Sequence, residues 1–228
     1  MRILITGATG VLGRALCLEL VRRDPQVELI AMGRREDKLA ALDDAVQEAG
    51  GQAPILVPLD FSKANPAHIT ELRQALEDQG LDALVLCAAT HTGLHPLDHL
   101  KPADVDTILK VNLHAPIWLL HQFLPLLKQA AHGRVLGVSD EVGRSGKAFW
   151  GAYGIAKAGL DTLLEQVAAE AEQSLEVRRV VPPALPSPIR GLVYPGEDPR
   201  TLANPAQVCQ PWAEWLLSPK EGTPAEVR

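Results

Sequence analysis

Tyr153 and Lys157 stand four residues apart at the start of a long helix-like run. That spacing puts both side chains on one helix face. A lysine ammonium beside a phenol favours the phenolate, and the phenol can pass a proton to or from a substrate oxygen. A second group of residues suits phosphate. Thr6-Gly7-Ala8-Thr9-Gly10-Val11-Leu12-Gly13 joins an apolar strand to a helix. Gly7 and Gly10 permit a tight turn and close backbone approach, and Gly13 lets the helix pack on the sheet. The helix N-terminus, with Thr9, Val11 and Leu12 around it, then presents free N–H groups and a positive dipole end to a pyrophosphate. A dinucleotide is the ligand implied.

The second strand ends in Met32-Gly33-Arg34-Arg35. A carboxylate at this place accepts from a ribose 2′-hydroxyl, whereas forked, permanently charged guanidinium groups suit a 2′-phosphate. The expectation is NADP(H) in preference to NAD(H), with Arg34 and Arg35 as contacts. Glu36 and Asp37 read as first-turn helix residues favoured by the dipole.

The elements that must position these groups alternate along the chain. Apolar strands are expected at 2–6, 27–32, 55–59, 81–87, 134–139 and 177–181. Helices are expected at 12–23, 36–49, 66–78, 102–130 (two helices jointed at Pro116), 151–174 and 205–217. Near-continuous apolar strands joined by helices imply a parallel sheet covered on both faces. Right-handed crossovers make it a doubly wound α/β sheet, a three-layer Rossmann fold. The 228 residues read as one such domain. The proline-rich stretch 182–204 is expected to be a loop on the substrate side of the site, and the tail after Pro219 carries no signal.

Composition narrows the partners. A net charge of −6 argues against nucleic acid or an anionic membrane as the main partner, and no apolar stretch reaches spanning length. Cys17, Cys87 and Cys209 lie far apart in apolar surroundings and read as buried free thiols of a reducing, cytoplasmic compartment. His91, His95 and His99 are spaced by four, but Gly93 and Pro96 break any helix that would align them, so a pocket-rim loop is favoured over a metal site. Trp150 reads as pocket wall or as packing.

The order and separation of these motifs resemble the short-chain dehydrogenase/reductase family over residues 2 to 190. The residues that carry the resemblance are the Gly7/Gly10/Gly13 turn, Asp60 after the third strand, Asn112 in Val111-Asn112-Leu113, and Tyr153 and Lys157 in Ala152-Tyr153-Gly154-Ile155-Ala156-Lys157. The resemblance implies an NAD(P) cofactor and hydride transfer between nicotinamide and a small carbonyl or alcohol. It implies Tyr153 as acid/base with Lys157 as its partner, and Asn112 as support for the active-site helix and a relay water. Asp60, beside Phe61, would contact the adenine. Cys87, Ala88, Ala89 and Val111 would flank the cofactor, and Ser187 would meet the nicotinamide amide. A homodimer through the 151–173 helix is also implied.

One departure bears on chemistry. The family's active-site serine lies thirteen residues before the tyrosine, and that position holds Asp140, with Ser139 one residue earlier. A serine hydroxyl donates to a growing oxyanion; an ionised aspartate only accepts. Losing such a donor costs about 3 kcal/mol of barrier. Asp140 could be protonated, could pair with Lys157, or could bind a donor on the substrate. The alternative to a reductase is a non-catalytic dinucleotide-binding sensor or partner protein.

Overall fold

A computed structural model gives the structure of residues 1–171 and 174–218. The tail beyond Pro219 and residues 172 and 173 of the expected long helix lie outside these described residues. Six parallel strands form one sheet in the order β3-β2-β1-β4-β5-β6: β1 Arg2–Thr6, β2 Glu28–Gly33, β3 Ile55–Pro58, β4 Ala83–Leu86, β5 Gly133–Val138 and β6 Leu175–Val180. The helices are α1 Val11–Arg23, α2 Glu36–Glu48, α3 Pro66–Ala75, α4 Pro102–Leu109, α5 Ala115–Gln129, α6 Val142–Ser145, α7 Gly151–Ala171, α8 Pro188–Val193 and α9 Pro205–Leu217.

The strands are apolar because both faces are covered. Ile3, Leu4 and Ile5 of β1 are fully buried, and β5 is buried along its whole length. On one face Leu4, Ile30 and Leu84 pack with Leu119, Phe123 and Leu164 of α5 and α7. On the other, Ile3, Ile5 and Val85 pack with Leu16, Cys17 and Leu20 of α1 and with Cys209, Trp212 and Leu216 of α9. These two apolar layers make the sandwich of the expected three-layer Rossmann fold.

Two expected boundaries shift. The break between α4 and α5 is a π-helical turn at Lys110–His114, not Pro116, which lies in the first turn of α5. A proline there costs little because first-turn N–H groups lack intrahelical partners, while the π-turn changes the helix register. The expected loop at 182–204 is not wholly irregular. Ser187 accepts from the Arg190 N–H as N-cap of α8, and Asp198 caps a short 3₁₀ turn at Pro199–Thr201. Strand order reverses between β1 and β4, so the carboxyl ends of these strands open a crevice, the usual ligand place in such sheets.

Candidate active site and cofactor cleft

A cleft of about 800 Å³ opens at that switch point. It brings together nearly every residue singled out from the sequence. Gly7, Thr9, Gly10, Val11, Leu12 and Gly13 line its floor. Arg34, Arg35, Asp60 and Phe61 line one end, and Cys87, Ala88, Ala89 and Val111 its middle. Ser139, Asp140, Tyr153, Lys157 and Ser187 line the other end. Asn112 is not among the lining residues.

The glycines fit a cradle that leaves no room for side chains. A Cβ on Gly13 would meet the Gly7 carbonyl oxygen at 2.2 Å, and one on Gly7 would meet Ala88 Cα at 2.8 Å. Gly7 also has φ of 64°, a conformation glycine adopts without strain. Thr6 locks the turn to β4: its hydroxyl donates to the Val85 carbonyl and accepts from the Cys87 and Ala88 N–H groups at 3.0 and 3.1 Å. Gly10, the N-cap of α1, gives the helix no side-chain cap. The N-terminal end of α1 is thus left for an anion, and the cleft fits a dinucleotide.

Arg34 and Arg35 differ. Arg35 makes a two-pronged pair with Asp37 at 2.6 and 3.0 Å, both side chains largely exposed. Asp37 is therefore more than a first-turn helix residue; it occupies one of the two expected phosphate contacts. Arg34 forms no ion pair among the described residues and lines the cleft together with Lys38. Asp60 accepts from the Ser62 N–H and hydroxyl at 3.0 and 2.7 Å. Burial works against its charge, but these hydrogen bonds prevail and keep its carboxyl below the usual range, with Lys63 and Arg34 adding to them.

The reacting end is built on α7 and the end of β5. Tyr153 is 4% exposed, and its hydroxyl donates to Asp140 Oδ2 at 3.2 Å. Burial pushes the phenol pKa far up, and the Asp140 charge and hydrogen bond push it further. Lys157 is also buried. Its Nζ donates to the Val138 carbonyl at 2.8 Å, not to Asp140, and lies 5.7 Å from the Tyr153 ring centre. Burial lowers its pKa, opposed by Asp140, Cys87 and Asp161. The possible Asp140–Lys157 pair is therefore replaced by an Asp140–Tyr153 hydrogen bond. Asp140 Oδ1 accepts from the Val142 N–H at 3.1 Å, tying the carboxylate to the start of α6.

Ser139 does not take the serine's place. Its Oγ is buried without a partner, while its N–H pairs with the Val180 carbonyl at 2.8 Å. Its hydroxyl makes no hydrogen bond to Tyr153, whose hydroxyl donates to Asp140 instead. Asn112 lies in the π-turn, 1% exposed, and its amide closes two 2.8 Å hydrogen bonds with the Thr90 backbone. It fixes the loop after β4 and does not face the cleft.

The histidine loop after β4 lines the cleft at His91, as a pocket-rim loop would, while Lys147, Arg190 and Tyr194 were not singled out from the sequence. His91 packs 4.9 Å from the Tyr153 ring and 5.3 Å from Trp150. Its Nδ1 accepts from the Gly93 N–H at 2.9 Å, which puts the proton of the neutral ring on Nε2. Burial lowers its pKa, opposed by Asp140. Lys147, Arg190 and Tyr194 complete the wall. The place of His91 just after β4 points to the pocket rim. Among the described residues no cluster of His, Cys, Asp and Glu could hold a metal, and no helix is long and apolar enough to cross a membrane.

Comparison with known proteins agrees with this geometry. The family model for short chain dehydrogenases matches residues 1–197. The chain belongs to the short-chain dehydrogenase/reductase family. It is 30% identical over 217 residues to the uncharacterized oxidoreductase YciK of Escherichia coli (strain K12), covering 94% of this chain and 85% of that one. It is 29% identical over 176 residues to an NADPH-dependent pterin aldehyde reductase of Arabidopsis thaliana, covering 77% of this chain and 71% of that one. Among solved structures, a short chain dehydrogenase of Shigella flexneri complexed with NADP superposes with a TM-score of 0.90 at 27% identity, over 94% of this chain and 90% of the other. One of Escherichia coli CFT073 complexed with NADPH gives the same TM-score and coverage at 28% identity.

Proposed function

We propose that the protein is an NADP(H)-dependent oxidoreductase that moves hydride between the nicotinamide and a small substrate of the carbonyl or alcohol type. The observation that carries this reading is the single cleft in which the glycine cradle, Arg34 and the Tyr153–Lys157 pair face the same space. When bound, the dinucleotide supplies or accepts the hydride. The chain does the rest. The α1 N-terminus and the glycine turn hold the pyrophosphate, Arg34 holds the 2′-phosphate, and Asp60 with Phe61 bounds the adenine end. Lys157 steadies the nicotinamide ribose, with Ser187 near the nicotinamide amide. Tyr153 holds the proton that the substrate heteroatom gains or loses, and Asn112 acts by holding the Thr90 loop. The free cysteines fit a reducing compartment, and cytoplasmic residence belongs to the same reading.

The test is a titration with NADPH and NADH, read by energy transfer from tryptophan to the reduced nicotinamide, since Trp150 lines the cleft. Micromolar NADPH binding with weaker NADH binding is expected; binding of neither by folded protein sinks the proposal. Arg34→Ala should weaken NADPH about tenfold or more and leave NADH nearly unchanged, as expected for one charge-assisted contact. Arg35→Ala, whose guanidinium is taken by Asp37, should change either affinity much less.

The non-catalytic reading is favoured by one observation, the carboxylate where a donor is expected. Tight NADPH binding without turnover on any substrate would support it. A homodimer through α7 is part of the primary reading: Ile155 stands 61% exposed on that helix and Ile117 40% exposed on α5. Ile155→Lys should convert a dimer to monomer in sedimentation; a wild type that sediments as a monomer rules the dimer out.

A further inference from the structure

Asp140 has no cationic hydrogen-bond partner, and Lys157 and Arg190 feel its carboxylate only at longer range. Its two oxygens accept only from the Val142 N–H and the Tyr153 hydroxyl, both neutral donors. Among the described residues no ammonium or guanidinium group forms an ion pair with it. The cations that line the cleft near it are engaged elsewhere. Lys157 donates to the Val138 carbonyl, Lys147 donates to the Tyr194 hydroxyl at 2.7 Å, and Arg190 grips Glu197 at 2.5 and 2.6 Å. No neutral donor stands in for the missing serine hydroxyl either. Ser139 Oγ and His91 Nε2 are both sealed from solvent without a partner.

This electrostatic arrangement discriminates between two kinds of polar double bond. Hydride addition to C=O builds negative charge on oxygen, which an adjacent carboxylate repels. Hydride addition to a protonated C=N discharges a positive nitrogen, which the same carboxylate attracts and whose N–H it accepts. A neutral imine accepts hydride poorly, so a group that keeps the nitrogen protonated speeds the reaction. An opposite charge within about 4–6 Å shifts such an equilibrium by roughly one to three pH units, a tenfold to thousandfold gain in the reactive form. His91, Trp150 and Tyr153, packed ring to ring at 4.9 to 5.6 Å, add aromatic surface that also favours a flat organic cation.

We propose that the bond this cleft reduces best is C=N, held as its iminium with Asp140 as counter-ion, and that the matching substrate in the oxidative direction is a secondary amine. This inference rests on the hydride-transfer reading of the site and narrows its acceptor. In the reduction the imine nitrogen's lone pair takes one proton, relayed from water through the Tyr153 hydroxyl, and forms N–H. Hydride from the reduced nicotinamide forms the new C–H bond, and the C=N π pair returns to nitrogen as its lone pair. One imine, one NADPH and one proton give one amine and one NADP⁺.

The experiment compares dihydroisoquinoline, a cyclic imine, with tetralone, a ketone of like shape, in the full chain with NADPH. A second readout needs no turnover: calorimetric affinity of the tetrahydroisoquinolinium cation against neutral tetralol, with NADP⁺ present. The wild type should reduce the imine about a hundredfold more efficiently than the ketone, and bind the cation about tenfold more tightly than the alcohol. Asp140→Asn, matched in size, should lose both preferences. Asp140→Ser should also lose them and gain ketone reduction. A wild type that favours tetralone, or preferences that survive in Asp140→Asn, overturns the inference and leaves hydride transfer standing. No reduction of either probe by wild type or Asp140→Ser, with NADPH bound, overturns both.

Discussion

Replacing Tyr153 by phenylalanine should lower turnover by about a thousandfold while NADPH affinity changes little, the size expected for losing a positioned acid/base. The hydroxyl is the only part removed, and the ring that packs on His91 and Trp150 is kept. Stopped-flow oxidation of NADPH separates this from a cofactor effect, and a fall of less than tenfold would assign the proton to another group. The pH dependence follows from the raised phenol pKa. The protonated phenol, needed for reduction, persists throughout the ordinary range. The phenolate, needed for the reverse reaction, is scarce there. Oxidation should therefore rise with pH without a plateau below about pH 10, the value of an unperturbed tyrosine. Asp140→Ser removes a neighbouring negative charge and the acceptor that holds the phenol proton, so the rise should move to lower pH.

Gly13→Ala should abolish NADPH binding and lower stability by about 3 kcal/mol, in the upper range for overpacking. The added methyl would meet backbone atoms, the Gly7 carbonyl oxygen at 2.2 Å and Ala8 Cα at 2.8 Å, and neither belongs to a side chain that can turn away. The α1 N-terminus must then lift from the turn that forms the phosphate cradle. Gly50→Ala is the control. Gly50 has φ of 90° but nothing within 4 Å of an added Cβ, so the change carries backbone strain of about 1–2 kcal/mol and leaves the cleft intact. Chemical denaturation and NADPH titration of both variants check this; normal NADPH binding by Gly13→Ala would refute the cradle.

The parts that sequence makes legible are those set by periodicity and by glycine. Continuous apolar runs mark buried parallel strands, and the turn at Gly7, Gly10 and Gly13 needs glycine for contacts that other residues would clash with. Spacing along one helix likewise brings Tyr153 and Lys157 together. Partners chosen in three dimensions are not legible this way. Nothing in Arg34-Arg35 says that one guanidinium turns to Asp37. Lys157 could have reached Asp140, but its Nζ is bound to the Val138 carbonyl at the end of β5. Asn112 matches a motif, yet its amide is consumed by Thr90. The loop position of His91 is legible, but not its ring-on-ring packing with Tyr153 and Trp150. The count of thirteen residues leads to Asp140, whose carboxylate accepts from the Tyr153 hydroxyl across the span that α6 sets between β5 and α7.

The packing of α9 on α1 carries a consequence for biosynthesis. Leu16, Cys17 and Leu20 of α1 share their apolar layer with Cys209, Trp212 and Leu216, and the Cys209 thiol sits 3.5 Å from the Leu12 carbonyl. The helix that follows the glycine turn is thus buttressed by a helix about two hundred positions later. On the ribosome, α1 emerges early with that flank bare, and it stays bare until α9 clears the exit tunnel. Until then the α1 flank that α9 covers in the finished fold faces solvent.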